Sequence, residues 1–320
     1  MHSVDSISHR ATVEPLPENI TSVQPGGGTC YALELAWGRW RRWWLKTFRG
    51  GYVRRMAELR QGDPTGAPHE LLDPRDLKFC RNVCTADWSP EHDPFQWRGR
   101  LGLARWGIAE VVLMSTPLLA LTIGLLFTPG WWKLTAIVPG VVLGWVWWFF
   151  RDPRREVPTG SGVIVSPADG VIAEVTPLEH DGFVGGPAVR IGIFLSIFNV
   201  HINRAPERSR VISLRYWPGK FLNALNPQST LLNESLWIGL EADDAPYRRM
   251  VVRQIAGLFA RRIVCELRPG ETIERGAKFG MIKLGSRTEL ILPQEAGLRV
   301  EVTVGQKVQA GSTIFARYSG

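Results

Sequence analysis

Three short segments in the C-terminal half of the chain carry side chains that can form or break covalent bonds. They are SPADG at residues 166–170, FNVHINRAP at 198–206 and LGSR at 284–287. A serine hydroxyl can attack the carbonyl of the residue before it when that peptide is strained and the resulting oxyanion is stabilised. Glycine leaves such a carbonyl approachable and permits unusual backbone angles. The pair Gly285-Ser286 is therefore a candidate for self-cleavage.

The proton transfers of such a cleavage require a nearby acid or base. A base must take the proton of the Ser286 hydroxyl, and a second proton must leave its Cα. His201 and Asp169 are the candidates for these steps. Each has a simpler interpretation, because an Asp before Gly is usually a turn residue and a single His at a strand end is more often a structural hydrogen-bonding group. The combination and order of the three segments favour catalysis.

The chain around these segments has the pattern of a β-rich domain. After Arg151, short runs rich in Val, Ile, Leu and Phe alternate with Gly, Pro and Asp. Several such runs separated by turn signals are typical of a β-barrel or β-sandwich. Residues 221–236 are expected to form a loop or a short helix. We therefore expect a β-rich α+β fold, in which residues 151–320 form the catalytic domain.

Two apolar runs precede this domain. From Val111 to Trp132, and again from Leu134 to Phe150, no residue is charged. The first run has the roughly 20 residues that a helix needs to cross the hydrocarbon of a bilayer. Arginines flank the pair on both sides, at positions 98, 100, 105, 151, 154 and 155. Residues 101–150 are thus predicted to form a membrane-associated helical hairpin with both ends in the cytoplasm and a turn near Pro129-Gly130. A buried hairpin in a soluble protein is the alternative.

Residues 1–100 form a basic extension with an aromatic segment. Residues 1 to about 36 are polar and interrupted by Pro and Gly, which indicates a flexible tail. Residues 37–55, WGRWRRWWLKTFRGGYVRR, contain no acid. Their helical spacing would place an aromatic stripe among lipid headgroups and the arginines near anionic lipid; the stripe consists of Trp37, Trp40, Trp44 and Phe48. A helix packed on the same chain and a nucleic-acid arm are the alternatives.

The composition narrows the class of partner. The formal net charge of +8 indicates an anionic partner, and 14 Trp residues favour a lipid surface over nucleic acid. Cys80 and Cys84 have no second Cys or His pair nearby, so no metal site is expected. The first 30 residues contain no apolar signal segment, and reduced thiols on the cytoplasmic side are the expectation.

Taken together, the motifs resemble those of the phosphatidylserine decarboxylase proenzymes, and in particular their shorter bacterial class. The likeness lies in WWFFRDPRREVP (147–158), SPADGVI (166–172), FLSIFNVHINRAP (194–206), VRQIAGLFARRIV (252–264) and ERGAKFGMIKLGSRTELILP (274–293). In that family the chain cuts itself at a Gly-Ser bond. The resemblance thus implies cleavage between Gly285 and Ser286, giving a β chain of residues 1–285 and an α chain of residues 286–320.

The same resemblance implies a cofactor and a reaction. Ser286 would become a pyruvoyl group at the start of the α chain. In the family this group forms a Schiff base with the headgroup amine of phosphatidylserine, carbon dioxide leaves and phosphatidylethanolamine is released. The expected location is the inner membrane, with the catalytic domain on the cytoplasmic side. Phosphatidylserine and anionic membrane lipid are the expected partners, nucleic acid is not, and a homo-oligomer is left open.

Two positions depart from the longer class of the family. That class has Thr where this chain has Arg287, and a second His where this chain has Arg204. Because the self-cleavage relay of the longer class uses that second His, the relay cannot be carried over intact. Either His201 serves as the base, or Asn203 and Arg204 act electrostatically while Asp169 acts alone. Asn203 and Arg204 are also candidates for substrate binding, Arg204 through the lipid phosphate, and His201 is the candidate proton donor to the product.

Two other classes of function remain open at this stage. PADGVIAEV and VTVGQKVQAGSTIFARYSG are similar to the half-motifs of biotinyl or lipoyl carrier domains, with Lys283 as the lysine that would carry the cofactor. Against a carrier domain, Lys283 enters an apolar strand and the β-rich region is about twice the usual size. A basic membrane-bound scaffold without catalysis is the second alternative.

Overall fold

A computed structural model describes residues 10–222, 228–257, 262–283 and 286–319 of the chain. The longer helices lie in its first half. The α-helices are α1 Thr29–Phe48, α2 Gly50–Glu58, α3 Ile108–Leu126, α4 Ile137–Phe149 and α5 Ser229–Leu232. Short 3-10 helices cover Pro74–Lys78, Pro90–His92, Gln96–Arg100, Arg105–Gly107 and Gly130–Ala136.

The strands follow the second apolar helix. In chain order they are β1 Val163–Val165, β2 Gly170–Asp181, β3 Gly186–Leu195, β4 Ile202–Arg204, β5 Ser209–Trp217, β6 Ser235–Ala242, β7 Arg249–Ala256, β8 Arg262–Cys265, β9 Thr272–Ile273, β10 Lys278–Lys283, β11 Ser286–Pro293, β12 Leu298–Val300, β13 Lys307–Val308 and β14 Ile314–Tyr318. Eight of them form one antiparallel sheet in the order β13-β2-β3-β11-β7-β6-β5-β9. Two smaller sheets have the orders β4-β10-β8 and β1-β14-β12.

Strand β11 lies inside the large curled sheet, and all eight of its residues are buried. Alternate side chains of a strand point to opposite faces, so both faces of β11 must be covered. Leu290 and Leu292 belong to the main apolar core, whereas Ile291 joins a second cluster with Ala188 and Val251 on the other face. The β-rich α+β fold expected from the sequence is confirmed.

The two apolar runs form the helices α3 and α4, which pack against each other. The continuous helical segments Arg105–Leu126 and Gly130–Phe149 are long and apolar enough to cross a membrane, and only 6 % and 22 % of the residues in their most apolar windows are buried. The turn between them includes Gly130, whose φ of 64° favours glycine. A buried hairpin is therefore not what the structure has, because most of these apolar side chains are exposed. Exposed apolar helices of this length are compatible with membrane association.

The N-terminal segment differs from the expectation of a flexible tail up to about residue 36. Within its described part, the Glu14 amide donates to the Ile212 carbonyl at 2.9 Å, and the Cys265 amide donates to the Val23 carbonyl at 2.8 Å. Ile20 is a member of the main core. The segment is held in place because its apolar side chains and backbone groups pair with the sheet, over contacts too distant in sequence for a local pattern to reveal.

The aromatic segment forms two helices rather than one, with a break at Arg49 between α1 and α2. One face of α1 packs on the chain: Arg41 is buried and forms ion pairs with Asp73 and Asp76 near the helix Pro74–Lys78. The large aromatic side chains of α1 remain exposed, and they are Trp37, Trp40, Trp43, Trp44 and Phe48. The helix is thus both packed on the same chain and free to present an aromatic surface.

Candidate active site

Ser286 is the first residue of β11 and lies opposite Leu195 of β3 and Ala256 of β7. Its side chain is fully buried, and its Oγ has no hydrogen-bond partner in the part of the chain that the structure describes. A buried hydroxyl without a partner costs free energy, so the site keeps this group in an unsatisfied state. Gly285, on the other side of the candidate cleavage bond, lies outside the described residues.

His201 precedes β4 and is fully buried. Its Nδ1 lies 2.9 Å from the carbonyl oxygen of Asn199, so in the neutral ring Nδ1 carries the proton and the lone pair in the ring plane is on Nε2. Burial lowers the pKa of His201 to about 4; the Asn199 contact opposes this shift, and the charge of Arg151 adds to it. The imidazole is therefore neutral near pH 7 and able to accept a proton.

The backbone holds His201 close to the segment that leads to Ser286. The Ile282 amide donates to the His201 carbonyl at 3.1 Å, and Met281 pairs with Ile202 in the β10–β4 ladder. His201 is thus tied to a strand that ends at Lys283, three residues before Ser286. The structure therefore places His201 beside the end of β10, the strand that leads to Ser286.

Asp169 lies at the same end of the large sheet but bonds to other groups. Its Oδ2 accepts from Arg155 Nη2 at 2.6 Å, and its Oδ1 accepts from the Ala310 amide at 2.8 Å. Burial raises the pKa of the Asp169 carboxyl, while the Ala310 amide and Arg155 act in the opposite direction. Among the described residues, the hydrogen bonds of the Asp169 carboxylate are to Arg155 and Ala310 rather than to His201.

The register of the sheet gives the separation between Asp169 and Ser286. Val171 of β2, Phe194 of β3 and Arg287 of β11 are aligned across three strands. Ser286 and Asp169 therefore lie near the same edge two strands apart, which is roughly 10 Å at the usual strand spacing. Close packing requires glycine after Asp169, because a Cβ on Gly170 would lie 2.2 Å from the Phe194 carbonyl oxygen.

Asn203 belongs to a buried polar network that the sequence did not reveal. Its Nδ2 donates to Thr288 Oγ1 at 3.1 Å and to the Pro167 carbonyl at 3.3 Å, and its Oδ1 accepts from Gln254 Nε2 at 2.9 Å. Asn203, Gln254 and Thr288 are all fully buried. The network joins the SPADG loop to β7 and to the residue two positions after Ser286. The only sequence signal for Gln254 was a polar residue inside the apolar run of β7.

Arg204 is engaged within the protein rather than directed to solvent. Its guanidinium donates to the Gly276 carbonyl at 2.9 Å and to the Pro153 carbonyl at 3.4 Å, and it lies 3.5 Å from the Asp152 carboxylate. These contacts join β4 to the segment that follows the apolar hairpin. They account for the buried charge of Arg204 without a lipid phosphate.

Arg287 also has its charge balanced inside the sheet. Its Nη2 lies 2.7 Å from Glu174 Oε1, and its Nε donates to Glu289 Oε1 at 2.9 Å. Both carboxylates come from β2 and β11 of the large sheet. The chain thus accommodates an arginine directly after the candidate cleavage serine by pairing it with acids on the same and a nearby strand.

The end of the apolar hairpin covers this site. The Phe149 ring lies on the His201 ring, with 4.5 Å between centroids. Trp148 Nε1 and Arg151 Nη2 both donate to the Phe198 carbonyl, at 3.3 and 3.0 Å, in the loop before His201. The sequence motifs did not reveal these contacts, which place the histidine at the base of α4.

Known proteins match the part of the chain that carries this site. A family model described as Phosphatidylserine decarboxylase matches residues 142–316. The curated phosphatidylserine decarboxylase proenzyme of Rhodopirellula baltica is 49 % identical over 243 residues, covering 76 % of this chain and 99 % of that protein. The proenzyme of Chlorobium phaeobacteroides is 44 % identical over 193 residues, covering 60 % and 88 %. That of Carboxydothermus hydrogenoformans is 40 % identical over 211 residues, covering 61 % and 97 %.

A curled antiparallel sheet with an apolar helical hairpin and a buried serine hydroxyl fits the class of membrane-associated enzymes. The family match extends over more than half of the chain, and the first of these relatives is matched over almost its entire length. The chain belongs to the phosphatidylserine decarboxylase family. The resemblance identified from the sequence motifs is confirmed.

Proposed function

We propose that this chain is a self-processing phosphatidylserine decarboxylase, which converts phosphatidylserine to phosphatidylethanolamine and releases carbon dioxide. Membership of the family supports the reaction. The observation that carries self-processing is the Ser286 hydroxyl, which is fully buried and has no hydrogen-bond partner among the described residues. Such a group is costly in a protein interior, and a reactive role accounts for its retention.

The cleavage chemistry uses Ser286 and the bond before it. Oγ attacks the carbonyl carbon of Gly285 as its proton passes to a base, and the C–N bond breaks to leave an ester. Loss of the Ser286 Cα proton then expels the upstream chain as a carboxylate, leaving dehydroalanine. Water converts this residue to a pyruvoyl group with release of ammonia. The products are the β chain of residues 1–285 and the α chain of residues 286–320.

His201 is the proposed base. Its Nδ1 proton is directed to the Asn199 carbonyl, which leaves Nε2 with the electron pair. The lowered pKa of His201, caused first by burial, keeps the ring neutral at physiological pH. Asp169 is assigned a positioning role, because its carboxylate bonds to Arg155 and Ala310 at the same edge of the sheet.

The surroundings of Ser286 fit a pyruvoyl group formed from it. Its partners across the sheet, Leu195 and Ala256, are apolar. The Ser286 Oγ forms no hydrogen bond with the described residues, so its conversion to a pyruvoyl group breaks none of their hydrogen bonds. The pyruvoyl group supplies an electrophilic carbonyl that takes up the substrate amine and withdraws electrons from the neighbouring carbon.

The residues around the site favour loss of the substrate carboxylate. Apolar surroundings disfavour a charged carboxylate relative to neutral carbon dioxide. Phe149 covers the His201 ring and shields it from water. His201 is also the proposed donor to the carbon from which carbon dioxide has left: the neutral ring would first take up a proton from water at Nε2, and its pKa of about 4 favours passing that proton on to the carbanion.

The apolar hairpin supports a location at the inner membrane. Residues 101–150 would form the membrane-associated unit and residues 151–320 the decarboxylase domain on the cytoplasmic side. Arginines at both ends of the hairpin support this orientation. The contact of Phe149 with His201 would then hold the site close to the bilayer that contains phosphatidylserine.

Denaturing electrophoresis and mass measurement test the proposal. The purified full chain should separate into two fragments, and the small one should have the mass of residues 286–320 less one ammonia relative to a free serine N terminus. Ser286→Ala should remain uncut and release no carbon dioxide from phosphatidylserine vesicles. Ser312→Ala, in the same fragment, is the matched control and should cleave normally. Normal cleavage of Ser286→Ala, or an active enzyme with a continuous chain, would contradict the proposal.

A further inference from the structure

A pocket of about 300 Å³ lies away from Ser286, between α1, the helix Pro74–Lys78 and the start of α3. All of its lining residues fall between positions 33 and 113. They precede residues 142–316, which the decarboxylase family model matches. The pocket is therefore built from the part of this chain that lies outside the catalytic match.

The pocket has an excess of positive charge. Its lining contains two carboxylates, Glu34 and Asp76, and six arginine or lysine side chains: Arg41, Arg42, Arg75, Lys78, Arg98 and Arg105. Three of these cations form ion pairs with acids, namely Arg41, Arg42 and Lys78. Arg75, Arg98 and Arg105 form no ion pair within the residues that the structure describes.

Arg98 shows that this charge is held in a built site rather than on an open surface. The residue is 9 % exposed, and its Nη2 is buried without a hydrogen-bond partner within residues 10–222 or the other described ranges. Its guanidinium lies 4.3 Å from the centre of the Phe95 ring. Burial lowers the pKa of Arg98 to about 10, and the charges of Arg75 and Arg105 add to this effect. The charges of Asp93 and Asp73 oppose the shift, but neither acid forms an ion pair with Arg98 in the part of the chain that the structure describes, so an anionic ligand would stabilise this buried donor.

The other wall of the pocket is apolar and continues onto the hairpin. Ile108, Val112 and Leu113 of α3 line it, and the latter two are 56 % and 43 % exposed. The segment Arg105–Leu126 is long enough to cross a membrane. Trp37 of α1 lies at the same pocket, with the Arg75 guanidinium 3.8 Å from its ring centre. Cations next to an exposed apolar helix face match a ligand with an anionic head and an acyl tail.

We propose that this pocket binds the phosphate of an anionic phospholipid, with Arg75, Arg98 and Arg105 on the phosphate and an acyl chain along Val112 and Leu113. The site is separate from the one at Ser286 and goes beyond decarboxylation, although it rests on the hairpin lying in a bilayer. The bound lipid would not be a substrate of the enzyme. It would hold α1 against the N-terminal end of α3. Inorganic phosphate has the same anionic group as the lipid headgroup but no acyl chain.

Binding of short-chain lipids by the full chain in a non-ionic detergent tests this site. Phosphatidylglycerol is the chosen probe because it is anionic and has no amine to react at Ser286. Native mass spectrometry should detect one retained dihexanoyl phosphatidylglycerol per chain, with dihexanoyl phosphatidylcholine and inorganic phosphate both bound at least roughly tenfold more weakly. Equal binding of phosphatidylcholine would show that the positive charge of the pocket does not select the lipid. Equal binding of inorganic phosphate would identify a phosphate site rather than a lipid site.

Matched variants connect the binding to these residues. R75Q/R98Q should weaken phosphatidylglycerol binding about tenfold or more, because two charged donors are lost. R39Q/R54Q removes the same number of charges from exposed positions of α1 and α2 and should bind like the parent. Arg105→Gln, at a half-buried position, repeats the test if loss of Arg98 disturbs folding. Unchanged binding by R75Q/R98Q or by folded Arg105→Gln, or equal loss in R39Q/R54Q, would overturn the assignment. Because the readout needs neither cleavage nor decarboxylation, it stands apart from the proposed function.

Discussion

Lys283, two residues before Gly285, forms an ion pair with Glu110 in the first turn of α3. Its Nζ also donates to Gln24 Oε1 of the N-terminal segment at 3.1 Å. Lys283 is buried, which does not suit a lysine that carries a cofactor on an exposed turn. One side chain thus joins the strand before the candidate cleavage bond to the apolar hairpin and to the N-terminal segment.

Breaking this pair should slow self-cleavage. Glu110→Gln leaves a buried ammonium without its carboxylate, which typically costs about 3–5 kcal/mol, so the end of β10 would be held less firmly against α3. We expect cleavage in a time course of cell-free synthesis to be at least several-fold slower than in the parent chain. Glu58→Gln, at an exposed position of α2, is the control for loss of one acid.

The double variant E110L/K283M tests whether Glu110→Gln slows cleavage because it leaves the charge of Lys283 unpaired. Replacing both members of a buried pair by apolar residues removes the unpaired charge and is often close to neutral for stability. Cleavage should therefore be faster than in Glu110→Gln if the single variant acts through the unpaired charge of Lys283. Parental cleavage rates in Glu110→Gln itself would show that the pair does not position the bond.

Part of this arrangement could be predicted from the sequence. Runs without charge predicted the hairpin, and alternating β-prone and turn segments predicted the sheet, because both patterns repeat over neighbouring residues. The motifs around Ser286 and His201 were found for a similar reason. Each is a short continuous stretch whose residue types suggest the same chemistry.

The remaining contacts depend on residues that are distant in the chain. Asn203 bonds to Gln254 and Thr288, and Glu14 of the N-terminal segment pairs with Arg215 at 3.0 Å. No local period encodes such pairs, so a polar residue in a β run and an acid in a proline-rich segment gave no signal. Substrate-binding roles for Asn203 and Arg204 were suggested by their place beside His201, whereas the structure shows side chains engaged with other parts of the chain.

The pH dependence of cleavage should report His201. Burial lowers its pKa from 6.5 to about 4, so the ring is a neutral base above that value and loses this role as the pH falls through it. We expect a cleavage rate that is flat from about pH 8 to 5 and declines near pH 4, measured by quenching at fixed times. His201→Gln should abolish cleavage, and His180→Gln, at an exposed position, should retain it. A midpoint near 6.5 would indicate an exposed histidine as the base.

The same shift has a consequence for stability. The unfolded chain binds a proton at His201 below about pH 6.5, whereas the folded chain does so only near pH 4. Between these values the unfolded state holds more protons, so the contribution of His201 to the free energy of unfolding falls as the pH is lowered. Chemical unfolding of the uncut Ser286→Ala chain should show a larger loss between pH 6.5 and 4 than the same chain with His201→Gln.

Asn203 should be needed for stability more than for substrate binding. Asn203→Ala removes the donor to Thr288 Oγ1 and one of the two acceptors of Gln254 Nε2, which keeps its bond to the Val264 carbonyl at 3.3 Å; an unsatisfied buried group costs about 1–3 kcal/mol. We expect a lower thermal midpoint of the uncut Ser286→Ala chain. Asn19→Ala removes an exposed side-chain bond to the Tyr216 carbonyl and should change the midpoint little. A normal midpoint with a raised KM for phosphatidylserine would instead favour substrate binding by Asn203.

Phe198 should couple the site to the lipid surface. Its side chain is 62 % exposed, and its carbonyl accepts hydrogen bonds from Trp148 and Arg151 at the end of α4. If the apolar hairpin lies in a bilayer as proposed, an exposed aromatic ring at its base is placed to enter the interface. Phe198→Ser should raise KM for phosphatidylserine in vesicles several-fold, while kcat, self-cleavage and activity on a soluble short-chain phosphatidylserine stay close to the parent values.

Val304→Ser is the matched control for Phe198→Ser. Val304 is also 62 % exposed, but it lies in the loop before β13, and within the described residues it forms no hydrogen bond to α4 or to the loop before His201. It should leave KM for vesicles unchanged if the effect at Phe198 depends on its place beside the hairpin. An equal rise in both variants would mean that any exposed apolar side chain on this domain assists vesicle binding. A loss of activity on soluble substrate in Phe198→Ser would instead assign the residue to the geometry of the His201 loop.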